Sequence, residues 1–81
     1  MEKIESSDGQ FLELLPVGTR VKHKKHPELV GKISKYEYHE SGKVSPIPYS
    51  IHWDDPEKAF SILGFMNYYQ KADAIEREVE G

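Results

Sequence analysis

Four histidines, a basic run and a cluster of aromatics are the side chains of this 81-residue chain with chemistry to offer. His23 and His26 stand three apart in "HKKHPE", and His39 and His52 fall on neighbouring segments. Imidazoles are common zinc ligands, but a zinc site takes four protein ligands, or three and a water. The chain has no cysteine and no second close ligand pair. Pro27 restricts His26 to extended conformations in a turn. The histidines therefore read as scattered surface residues, with His23 the one that alternation could bury, and no metal site and no cofactor is expected. Catalysis finds no better foothold. No serine sits in a glycine-flanked nucleophile elbow. Asp54 and Asp55 are adjacent, so on a strand they point to opposite faces and cannot pair. The expectation is a protein that is not an enzyme.

Binding is better supplied. Arg20, Lys22 and Lys24 alternate along one segment, and Lys25, Lys32 and Lys35 lie close across the hairpin that follows. Such a stripe suits phosphate, provided aromatics lie near for stacking, or an acidic protein surface. Net charge is -3, distributed as acidic, basic, acidic. Residues 17–45 hold seven cations against three glutamates, while residues 46–81 hold three cations against seven carboxylates. If these blocks mix in space, the folded surface is balanced instead.

The second binding feature is "GFMNYYQ", Gly64 to Gln70. Phe65, Met66, Tyr68 and Tyr69 cannot all face inward from one turn, and so small a domain has little interior for them. Aromatics and methionine are enriched at interface cores. With help from Tyr36 and Tyr38 they form the expected partner-binding patch, which would also be satisfied by homodimerisation.

The elements that must position these residues are short strands. Val21 and His23 alternate with lysines and arginine over 19–24, and "KHPE" breaks the run. A second strand is expected over 29–38, with a bulge near Ser34–Lys35 that returns Tyr36 and Tyr38 to the face of Leu29, Gly31 and Ile33. "HESGK" reads as a hairpin loop. In "PIPYSIHWDD", Ile47, Tyr49, Ile51 and Trp53 alternate strictly with Pro48, Ser50, His52 and Asp54, which assigns the first set to the interior. Pro46 and Pro48 place that strand's start at an edge. "DDPEK" reads as a turn and "AFSIL" as a short strand. Residues 68–80 fit either a helical stripe or a single turn followed by a strand over 75–79. Residues 1–10 hold few apolar side chains and read as a flexible tail, leaving one domain over 11–81. The longest apolar runs are a few residues and the N-terminus is no signal peptide, so a soluble cytoplasmic protein without a membrane partner is expected.

Four or five short strands with tight turns predict a mainly all-β, five-stranded small barrel, because a flat sheet of this size would leave an apolar face and two edges exposed. "LPVGTRVKHKKHPELVGKI" resembles the opening of SH3-like barrels of the KOW and Tudor/chromo-barrel kind, with Gly18, Val21, Gly31 and Ile33 at the matching places. "YSIHWDD" is similar to their third strand. The resemblance covers roughly residues 16–80 and implies a one-turn 3₁₀ segment before a closing strand. It implies a non-enzymatic interaction module for a protein partner, such as an accessory subunit of a larger complex docking an acidic carrier on the basic hairpin. The alternative it implies is a KOW-type module gripping RNA or DNA through Arg20, Lys22, Lys24, Lys25, Lys32 and Lys35. This fold hosts many unrelated roles.

Overall fold

The computed structural model describes residues 3–78. Seven strands and one helix follow in order: β1 (Lys3–Glu5), β2 (Phe11–Glu13), β3 (Arg20–His23), β4 (Val30–Tyr38), β5 (Val44–Trp53), α1 (Pro56–Leu63), β6 (Tyr69–Gln70) and β7 (Ile75–Arg77). The protein is mainly β, in two sheets. β1 and β2 form an antiparallel hairpin, and the other five form an antiparallel sheet in the order β6-β5-β4-β3-β7. Closure into a barrel is not seen, since β6 and β7 stand at opposite edges of that sheet. The bend before β7 is a single turn in which Ala74 N–H donates to Lys71 C=O at 3.1 Å, and it does not extend into a 3₁₀ segment. No helix among the described residues is long and apolar enough to cross a membrane.

The core follows the alternation in part: Pro48 and Ser50, which alternation places on the outer face of β5, are buried as well. Val21 on β3, Ile33 on β4 and Tyr49, Ile51 and Trp53 on β5 are buried, joined by Leu14, Leu29, Val44, Ala59 and Ile75. Burying each of the larger apolar side chains contributes about 1.5–3 kcal/mol. Pairing between β4 and β5 slips between Ile33 and Lys35, at the expected bulge. Tyr36 thereby turns half-inward against Tyr49, with ring centroids 6.3 Å apart. A second irregularity between Tyr36 and Tyr38 sends Tyr38 out to solvent, so the two tyrosines do not share the core face. Ile47 lies between buried Val44 and the buried run that starts at Pro48, and is 41% exposed rather than interior. Gly31 sits opposite Trp53 where the two backbones nearly touch; a Cβ there would lie 2.5 Å from the His52 carbonyl oxygen.

Two segments differ from expectation. Residues 3–10 are no free tail. Asp8–Gly9 turns the β1–β2 hairpin, Ser6 is fully buried, and Ser7 N–H donates to Val44 C=O at 2.8 Å. Ile4 and Phe11 are exposed on this hairpin, so its backbone pairing carries no clear apolar signature. "DDPEKAFSILG" is a helix rather than a turn and a strand. The Asp55 side chain accepts the Lys58 N–H at 3.1 Å, Pro56 opens the first turn and Glu57 sits at its positive end. Gly64, at φ 84°, ends the helix with its N–H on Phe60 C=O. Beyond α1, residues 75–77 are strand and not helix, and Val79 and Glu80 lie outside the described residues.

Candidate functional site

The segment from Gly64 to Gln70 has its polarity reversed. Asn67, 8% exposed, and Gln70, 9% exposed, point inward, whereas Phe65 (79%) and Met66 (62%) point outward with Tyr68. The reason lies in the hydrogen bonds. Asn67 C=O accepts both the Trp53 indole N–H and the Gln70 side-chain amide, each at 2.8 Å. The Asn67 side-chain amide donates to Gly64 C=O at 2.7 Å, and Tyr68 C=O accepts the Ile51 N–H at 2.7 Å. Buried polar groups must be paired, so the amides take the interior positions and the apolar side chains are left outside.

Those exposed side chains are not scattered. Phe65 meets Phe60 of α1 edge to face at 5.1 Å between centroids, and Tyr68 meets Tyr69 edge to face at 4.5 Å. Met66 and Tyr69 face Tyr38 and Ile47 across a groove of about 270 Å³, completed by Glu37 and Ser45. Tyr38 is 63% exposed at its rim. β4, the start of β5 and the turn before β6 thus bring Met66, Tyr69 and Tyr38 to one groove. Tyr36 is placed elsewhere. Its hydroxyl donates to Leu15 C=O at 2.5 Å, which fixes it as a prop for the loop before β3. Phe60, Ile47, Ser45 and Glu37 also belong to the surface, without a signal in the sequence: Phe60 lies on α1 where a strand is expected, and Ile47 is exposed where alternation turns it inward.

Half of the basic stripe is offset. The antiparallel register sets β7 beside β3 and carries the acidic C-terminal block onto the cations. Arg20 makes a two-pronged pair with Asp54, one bond at 2.8 Å, and reaches Glu78 at 3.4 Å. The hydrogen bonds that Arg20 donates to Asp54 raise the Arg20 pKa, and Arg20 in turn holds the Asp54 carboxyl below its ordinary range. Lys22 pairs with Glu76 and Lys35 with Glu37, each at 3.7 Å. Among the described residues Lys24, Lys25 and Lys32 make no ion pair within 4 Å. The surface there is mixed in sign.

The histidines separate as well. His23 is 7% exposed at the end of β3, and its Nδ1 accepts the Lys25 N–H at 3.1 Å. His26 stacks obliquely 5.2 Å away and lies 3.9 Å from Glu28. His39 closes its own hairpin loop through Ser41, and His52 is exposed on the outer face of β5. No three histidines or carboxylates among the described residues converge on one point. The chain matches no family model, no curated protein and no solved structure, so what it does is to be sought in the chemistry of this surface.

Proposed function

We propose that this chain is a non-enzymatic interaction module with an SH3-like strand order that docks a protein partner through Phe65, Met66, Tyr68, Tyr69 and Tyr38 as an accessory subunit of a larger complex. The observation that carries the reading is the reversed polarity of Gly64–Gln70, where amides are buried and aromatics exposed. Exposing a contiguous apolar cluster lowers solubility with nothing gained for the monomer, and such clusters mark sites of association. The strand order β6-β5-β4-β3-β7, with the last strand beside the first of its sheet, supports the SH3-like part of the proposal. The pairing of Arg20, Lys22 and Lys35 with carboxylates favours a protein partner over a nucleic acid.

The test is the double variant Phe65→Ser, Met66→Ser. Both side chains are exposed, so folding stability stays within about 0.5 kcal/mol of the parent. Sedimentation and co-purification are expected to show loss of the complex, because interface aromatics contribute about 2 kcal/mol or more each when they are hot spots. An unchanged oligomeric state together with an unchanged set of co-purifying proteins, in a folded variant, overturns the proposal.

A further inference from the structure

Among the described residues Glu37 is the one acidic or basic side chain lining the groove, and it is poorly served by its neighbours. Its Oε2 is buried and accepts no hydrogen bond from the described residues, while its ion-pair partner, Lys35 Nζ, stands 3.7 Å away with a side chain 70% exposed. A carboxylate oxygen withdrawn from water without a donor is costly, and a better donor arriving from outside relieves that cost. Around it stand Tyr38 and Tyr69, whose ring faces attract cations, and Ile47 and Met66, which cover a methylene stem. At about 270 Å³ the groove falls below the usual size of a pocket for a whole small-molecule ligand. It is large enough for one long side chain.

Resting on the protein-docking reading above, we infer that this groove takes an arginine side chain from an extended segment of the partner, with Glu37 as its counter-ion. Charge complementarity selects a basic occupant over an acidic one. Arginine fits better than lysine because its planar guanidinium can bond the carboxylate and stack on tyrosine at once. The lysine-rich hairpin is thus not the recognition surface, and the partner segment is basic rather than acidic. Lys35 is the intramolecular competitor that the arginine displaces.

The experiment uses the full chain, ¹⁵N-labelled, titrated with N-acetyl-arginine methylamide and separately with its neutral citrulline counterpart. The expected result is shift changes at Glu37, Tyr38, Ser45, Ile47, Met66 and Tyr69 with the arginine probe. Binding is expected to be about tenfold weaker for citrulline and for the Glu37→Gln variant, the loss of one charge-assisted contact. Lys35→Met, which removes the competitor, is expected to tighten binding. Equal response to both probes, or an arginine response unaffected by Glu37→Gln, overturns the inference. Unmoved resonances elsewhere in the Glu37→Gln spectrum show that the variant is folded. Failure of the arginine probe while Phe65→Ser, Met66→Ser still dissolves the complex removes the arginine and leaves the docking reading intact. An arginine response with no effect of the double variant removes the docking reading.

Discussion

The hydroxyl of Tyr49 accepts the backbone N–H of Leu15 at 2.8 Å, across 34 positions of sequence. Tyr36 donates to the carbonyl of the same residue at 2.5 Å. Both backbone groups of Leu15 are thereby satisfied by tyrosines of adjacent strands, and the "LLPVG" loop is clamped over the core. Burial is the main cause of the raised pKa of both phenols, so the neutral, hydrogen-bonding form persists across the physiological range. Tyr49→Phe keeps the ring and strands the Leu15 N–H. It is expected to cost about 1–2 kcal/mol in urea denaturation with an unchanged slope. Tyr36→Phe costs less, since Tyr36 is half-buried and water can reach the carbonyl it leaves. Equal stability of Tyr49→Phe and the parent would show that the loop is held by packing alone.

Gly31 supports a second prediction. A Cβ at this position would lie 2.5 Å from the His52 carbonyl oxygen and 2.9 Å from Trp53 Cα, and both neighbours are backbone. Neither can swing aside, so Gly31→Ala must push β4 away from β5 at the centre of the sheet. The expected loss is about 2–3 kcal/mol by thermal or urea unfolding, at the upper end for an added methyl group in a packed site. Indole fluorescence should shift to the red as Trp53 loses its packing. A stable variant with unchanged fluorescence would mean that the two strands are farther apart than described.

Much of the sheet was legible in the sequence because alternation reports burial directly. Val21 and His23, then Tyr49, Ile51 and Trp53, lie where period two puts them, whereas Pro48 and Ser50 are buried between them because β5 is covered on both faces there. Ser34–Lys35 is where the register slips. What escaped did so for identifiable reasons. In "AFSIL" the apolar residues fit either period over so short a run, and the deciding marks lay outside it, in Asp55, Pro56 and Gly64. The hairpin of residues 3–13 buries chiefly backbone and Ser6, which hydropathy does not report. In the candidate site, the exposure of Phe65, Met66 and Tyr68 was legible from crowding. Tyr36 was not separable from Tyr38, because only the second register slip sends them to different places.

His23 makes stability depend on pH. Its ring is buried between the end of β3 and β7, where Ile75 is its strand partner, and its Nδ1 is used as an acceptor by the Lys25 N–H. Burial first, then His26 and Lys25, hold its pKa below the ordinary value of 6.5, opposed only by Glu28. No charged residue of β7 pairs with it; Ile75 is apolar, and the next contact is Lys24 N–H on Ala74 C=O. Since the folded chain binds this proton less readily than the unfolded chain, the neutral ring's full contribution is present above pH 6.5. It is lost as pH falls from there toward the depressed folded value. The Arg20–Asp54 pair weakens only in a lower window, below the ordinary Asp value of 3.8, so the two are separable. Urea midpoints measured from pH 7.5 to 4.5 are expected to decline for the parent and to decline less for His23→Leu. Protonation also removes the acceptor for the Lys25 N–H, so exchange of amides in residues 23–26 and 74–77 should quicken first. Parallel declines for the parent and His23→Leu would assign the acid sensitivity to other groups.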